Sequence, residues 1–241
     1  MIMIWGLLII FLASFVQGVT GFGFALIAVP LLSKIIPLQM VVPIVVLFSF
    51  FSNIMILLRV KPYIDLRKMK LLLFSSLIAA PLGTYLLMVV SSNVLKIIIG
   101  LIIIVFAFLL IKGYKFPIRN VSMGIIPVGF ASGLLNGSIS FSGPPVVLFL
   151  SNQGVEKNGF RANLTAYAFI LNIVTIGSYL LGGLINKEVI HYTCWFIFAM
   201  ILGVLLGDRV VNKINESQFR KITLLLIIFS GAWTVVSVIY K

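Results

Sequence analysis

The strongest constraint on this chain is where its charges are missing. Residues 1–33, 35–58, 71–95, 97–111, 120–155, 162–186, 189–207 and 222–240 contain no Asp, Glu, Lys or Arg. A helix needs about 20 apolar residues to cross a hydrocarbon core. Residues 38–58, 71–90, 94–111, 162–185, 189–207 and 222–240 meet that requirement as plain spans. Strands of a membrane barrel would be about ten residues long and alternate in polarity, and these runs do neither. The expected fold is an all-α polytopic membrane protein. Composition agrees: 61% of the 241 residues are hydrophobic and 10% charged, against about 45–50% and 25% in a soluble domain. A soluble globular domain, a disordered chain and a disulfide scaffold are thereby excluded. The segment 1–10 has no basic stretch and no small-residue cleavage site, so it is expected to belong to the fold and not to a removed leader.

Two of the runs are not plain. Residues 1–33 are too long for one span and carry a polar, glycine-rich centre, Gln17–Gly23; residues 120–151 repeat the design over Gly133–Pro145. Gly and Pro at that density weaken a helix. Each run is expected to form a hairpin of two short helices around a non-helical tip. The unusual features also recur in order. Phe15–Gly18 aligns with Phe130–Gly133 at an offset of 115, Asn53 with Asn172 at 119, and Gly83 with Gly207 at 124. The reading is a duplicated chain, 1–118 and 119–241, each half a hairpin followed by three spans.

The net charge of +13 comes from 18 Lys+Arg against 5 Asp+Glu. The basic residues lie singly or in short clusters between apolar runs, which suits membrane orientation better than nucleic acid. Loops 59–70, 112–120 and 208–221 are the basic ones, and short basic loops stay cytoplasmic. They share a side only if 120–151 enters and leaves by the same face. That choice places 14 of the 18 basic residues inside, with Lys34, Lys96, Lys187 and Lys241 outside. Each half then crosses an odd number of times, so the halves are expected to be inverted copies. Secondary transporters of that design place their sites near the midplane.

Irregular backbone at membrane depth is tolerated inside protein or beside a wet cavity. A helix starting there presents free N–H groups and its positive dipole end. Ser142-Gly143-Pro144-Pro145 reads as such a start, with Ser142 at the N-cap. In the first hairpin Thr20 and Gly21 precede Phe22–Leu32, and Gly21 and Gly23 would let backbone approach a ligand. Two helix N-termini facing each other would hold an anion, with Gln17, Asn136, Ser138 and Ser140 adding hydrogen bonds. Asn53 and Asn172 either line the cavity or bond across helices. Arg161 either reaches inward to an anion or snorkels to the cytoplasmic surface. Helix packing explains any one of these Gly and Ser residues equally well; the pattern occurring twice favours a site. Asp65, Glu156, Glu188, Asp208 and Glu216 all fall in loops or at span ends. With no mid-span carboxylate, cation transport is disfavoured. His191 reads as an interfacial residue beside Tyr192. The single Cys, Cys194, allows no intramolecular disulfide or CxxC motif. No cofactor or metal is expected.

Three segments, Gly18–Leu32 (GVTGFGFALIAVPLL), Gly133–Leu150 (GLLNGSISFSGPPVVLFL) and Phe160–Tyr167 (FRANLTAY), resemble the TauE/SafE family of sulfite and organosulfonate permeases. The likeness runs the whole length. Many members carry a denser glycine cluster in the first motif, where this chain has Phe22 and Phe24 flanking Gly23. The resemblance implies transport of a small sulfur-containing or carboxylate anion. The expectation is a permease in the cell membrane, binding a small anionic substrate between the hairpin tips and working by alternating access. Its lipid bilayer is its main partner, proton or sodium coupling is open, and no nucleic acid is involved. The rival classes are a non-transporting membrane subunit and an intramembrane lipid enzyme. The enzyme would need a nucleophile–base set or a metal cluster, for which the sequence has one His and no mid-span acid.

Overall fold

The computed structural model describes residues 2–95, 97–98, 101, 105, 121–152, 155–215, 217–219 and 225. Most of the expected spans 94–111 and 222–240 lies outside these residues, as do the loop 112–120 and Glu216. Eight α-helices are described: α1 Ile2–Thr20, α2 Phe24–Leu32, α3 Leu38–Val60, α4 Lys70–Val89, α5 Val121–Ile139, α6 Gly143–Asn152, α7 Lys157–Leu181 and α8 Lys187–Val211. No strand occurs among the described residues. Helices α3, α4, α7 and α8 fall where uncharged runs predict plain spans. Together with α1 they are long and apolar enough to cross a membrane. Large apolar side chains such as Trp5, Phe74, Leu181 and Phe198 point outward, a surface that water would not tolerate but lipid would.

The hairpins are real but lopsided. In place of two short helices, each has a first arm of 19 residues and a second of 9 or 10. The tips are shorter than expected, only Gly21–Gly23 and Ser140–Ser142. Gly18, Gly133 and Gly137 lie inside helices. Their glycines serve close packing instead of breaking the helix: a Cβ on Gly137 would collide with the Ala80 carbonyl, and one on Gly207 with the Phe15 carbonyl. Small residues let backbones approach this closely in membrane bundles. Accordingly α1 packs along α8, α5 along α4, and α3 along α7.

Three basic segments meet at one end of the bundle. The backbone N–H of Asp65 donates to Asn163 Oδ1 at 2.7 Å, Lys157 Nζ donates to the carbonyls of Val211 and Ile214, and Arg59 lies 3.9 Å from Asp208. At the other end Ile35–Met40 faces Lys187–Tyr192. The first arms run most of the way between these ends: Gly21 sits against Arg161 near the start of α7, and Gly137 against Tyr179 near its finish.

Candidate functional site

Each hairpin turns where its sequence is densest in Gly and Ser, at Gly21–Gly23 and at Ser140–Gly143. Gly21 (φ 81°), Gly23 (φ 93°) and Ser140 (φ 64°) adopt left-handed backbone, which costs a residue with a Cβ about 1–2 kcal/mol. At the first tip Thr20 satisfies the local backbone: its hydroxyl donates to the Phe22 carbonyl at 2.7 Å and lies 2.9 Å from the Val16 carbonyl. At the second, the Ser140 N–H closes on the Asn136 carbonyl and the Phe141 N–H on Leu135. The chain then re-enters helix, at Phe24 in one hairpin and at Gly143 in the other.

Both restarts open on one cavity. It is lined by Gly21–Leu26 from the first hairpin, by Ser140–Pro144 from the second, and by Gln17, Ser49, Leu164, Tyr167 and Ala168. The tips also touch, for the space a Cβ would take on Gly143 is filled by the Phe22 ring, 3.0 Å away. The N–H groups of a helix's first turn have no intrahelical partners, so two positive helix ends face the same space. Ser142 stands at the N-cap position of α6. Pro144 and Pro145 follow it, where their missing N–H groups cost nothing.

Of the residues expected at a site, Gln17, Gly21, Gly23, Ser140, Ser142, Gly143 and Pro144 line the cavity. Six do not line it. Thr20 is turned into its own tip, and Ser138 donates back to Leu134 at 2.7 Å within α5. Asn53, Asn136 and Asn172 form a buried network behind the cavity: Gln17 Nε2 donates to Asn53 Oδ1 (2.7 Å), and Asn136 Nδ2 to Asn172 Oδ1 (3.1 Å) and Thr175 Oγ1 (2.9 Å). Ser49 joins the halves of that network, accepting from both Gln17 and Asn172 at 3.3 Å. Of the two roles open to the asparagines, bonding across helices is the one observed.

Arg161 neither snorkels nor lines the cavity. It is 3% exposed, and one guanidinium nitrogen donates both to the Gly18 carbonyl and to Asp208 Oδ1 at 2.8 Å. It lies one layer behind the first tip and satisfies a carbonyl from the last turn of α1, where a cation suits the helix dipole. Asp208 is at a span end, as expected, but its side chain is only 15% exposed. Asp65, Glu156 and Glu188 are exposed. His191 is exposed beside Tyr192 and Trp195.

Sequence reasoning passed over Ser49 and Tyr167. Tyr167 stands inside the FRANLTAY segment and could have been taken from it. Ser49 had no signal beyond being a hydroxyl among apolar neighbours. Some buried polar atoms have no partner among the described residues: Gln17 Oε1, Asn53 Nδ2, Ser52 Oγ and Arg161 Nε. Leaving such atoms unmet is costly. Gln17, which lines the cavity, is placed to meet a ligand or water there.

Two broken-helix hairpins that face one another inside an apolar helical bundle define a polytopic α-helical membrane protein with an internal site. Its family follows from the sequence as a whole. The family model described as Sulfite exporter TauE/SafE matches residues 6–234, and the chain belongs to that family. No curated protein and no solved structure matches it. The family, described by sulfite export, is one of membrane transporters and not of enzymes, so this chain is a multi-pass membrane protein of the transporter class.

Proposed function

We propose that the protein is a secondary permease of the cell membrane for a small oxyanion, a sulfur oxyanion, organosulfonate or small carboxylate, bound between the hairpin tips and moved by alternating access. The observation that carries this reading is that the N-terminal ends of α2 and α6 open on one cavity. Free N–H groups and the positive ends of two dipoles converge where no carboxylate among the described residues lines the wall, and such ends favour anions. The cavity is small, about 30 Å³, and closed on one side by the Phe22–Gly143 contact. In the alternating-access reading, the Phe22–Gly143 contact is where the tips part on loading.

The two halves, 1–118 and 119–241, are read as inverted repeats. A constant offset of 119 relates Gln17 to Asn136, Gly18 to Gly137, Gly21 to Ser140, Phe22 to Phe141 and Asn53 to Asn172. It supports the reading better than the 115 that Phe15–Gly18 and Phe130–Gly133 suggest by letter. Gln17 bonds Asn53 as Asn136 bonds Asn172. Gly18 packs on Gly207 and Gly137 on Gly83, and Phe50 stacks on Phe169, its own counterpart, with ring centroids 5.1 Å apart. The basic end of the bundle is assigned to the cytoplasm, with both termini outside.

The test is a thermal-shift screen of purified protein in detergent with sulfite, thiosulfate, sulfoacetate, taurine, malonate and chloride. An oxyanion is expected to raise the melting temperature where chloride does not, and Gly143→Leu is expected to abolish that rise. No shift with any oxyanion, or an undiminished shift in Gly143→Leu, would sink the site.

A further inference from the structure

One peptide plane at the second tip is held from behind. Tyr167 Oη donates to Ser132 Oγ at 2.8 Å, and Ser132 Oγ in turn donates to the Ser142 carbonyl at 2.8 Å. All three residues are buried. The described chain contains no cis peptide, and in a trans peptide the C=O and the following N–H point in opposite directions. With the Ser142 carbonyl drawn back toward Ser132, the Gly143 N–H points the other way. Gly143 lines the cavity.

The first tip lacks this two-hydroxyl relay, and its Phe22 carbonyl is held by the adjacent Thr20 hydroxyl instead, at 2.7 Å. At the offset of 119, Ser132 corresponds to Ala13 and Tyr167 to Phe48, and neither can donate a hydrogen bond from its side chain. A second feature marks the cavity as a ligand site independently of helix ends: Gln17, 1% exposed and part of its wall, leaves Oε1 without a partner among the described residues, an acceptor that takes a water or the O–H or N–H of a ligand and not an anion's oxygen.

We propose that Tyr167 and Ser132 are positioning residues for the anion site: their hydroxyl relay locks the 142–143 peptide so that the Gly143 N–H faces the substrate. The inference rests on the site proposed above. It adds a role for a tyrosine that touches the cavity and for a serine that does not line it.

The relay is tested by titrating sulfite and sulfoacetate into wild type, Tyr167→Phe, Ser132→Ala and the double variant, all purified in detergent. Tyr167→Phe keeps the ring and its packing, so it carries the test even if Ser132→Ala folds poorly. Each single variant is expected to bind roughly ten-fold more weakly or worse, the scale of one hydrogen bond to a charged group. The double variant should be no worse than the weaker single, because the two hydroxyls act in series. A second measurement reads the peptide itself. Pairing carbonyl-labelled serine with nitrogen-labelled glycine leaves only the 132–133, 142–143 and 230–231 amides visible. The 142–143 resonance should move on adding sulfite to wild type and stay still in Tyr167→Phe. Wild-type affinity in both single variants, or a 142–143 resonance unmoved while wild type binds, overturns the relay. If wild type itself binds neither anion, the transport reading fails first, and this inference goes with it.

Discussion

The two hairpin tips have the same outline and different chemistry. Both follow a 19-residue arm, both turn through left-handed backbone, and both restart a helix at the shared cavity. The first is held from behind by charge: Arg161, itself held by Asp208, satisfies the Gly18 carbonyl. The second is held by neutral hydroxyls, with Tyr179 donating to the Gly137 carbonyl at 2.7 Å and the Tyr167–Ser132 relay to Ser142. Both Arg161 and Tyr179 come from α7, while the corresponding positions of α3 are Val42 and Val60. One helix therefore braces both hairpins. The comparison shows that a backbone shape can be kept while its supports are exchanged. It also shows that a buried arginine near the shared cavity donates to Gly18 and Asp208 from behind the tip.

The largest expected effect tests that difference of support. Arg161→Met strands the Gly18 carbonyl and leaves Asp208 only Arg59, 3.9 Å away, and losing one partner of a buried pair costs up to about 3–5 kcal/mol. Tyr179→Phe strands only the Gly137 carbonyl, a loss of about 1–3 kcal/mol. Unfolding in detergent would rank them, and an Arg161→Met protein no less stable than Tyr179→Phe would break the comparison. Next come the left-handed positions, where opposite signs are expected. Gly21→Ala adds a Cβ about 2.9 Å from both Arg161 Cγ and Thr165 Oγ1, on top of a backbone cost of about 1–2 kcal/mol. Ser140→Gly relieves that same backbone cost and gives part of it back through unfolded-chain entropy, for a net change under about 1 kcal/mol. Melting temperatures that fall equally in both would mean that the two turns are not equivalent.

A smaller effect separates ligand contact from turn support. Ser142→Ala removes a hydroxyl at the cavity wall and should weaken sulfite binding by more than it lowers stability: up to about 1.5–3 kcal/mol if the bond is to the anion, against about 0.5–2 kcal/mol for a lost helix cap. Thr20→Val should do the reverse, lowering stability, because the Thr20 hydroxyl serves its own tip. Binding isotherms beside melting curves would show whether the two losses sort this way. The smallest effect expected is none: Asp65→Asn and Glu156→Gln change exposed groups and should leave uptake into proteoliposomes intact. Loss of uptake in either variant, at normal reconstitution, would reveal a coupling site far from the tips.

Much of the candidate site was legible because it depends on local rules. Gly21, Gly23 and the Ser142–Pro145 helix start show in the letters, since a left-handed turn and a helix N-terminus each demand particular residues. Ser49 and Ser132 were not legible. A hydroxyl in an apolar helix looks the same whether it bonds its own backbone, as Ser138 does, or a residue 35 positions away, as Tyr167 does with Ser132.

The sequence by itself determined the medium, four of the plain spans and the presence of two broken hairpins, because charge-free length, proline and glycine act through desolvation and local backbone geometry. Only the tertiary structure decided how long each hairpin arm runs. Glycines that read as helix breakers proved to be sites of backbone contact between α1 and α8 and between α4 and α5, and only the neighbouring helix distinguishes the two. It decided as well that Arg161 belongs to Asp208 and Gly18, and that Asn53 and Asn172 brace the interior behind the cavity. The reason is physical: a buried polar group takes whichever partner the packing brings within about 3 Å, and partners 47 or 143 residues away are set by the fold.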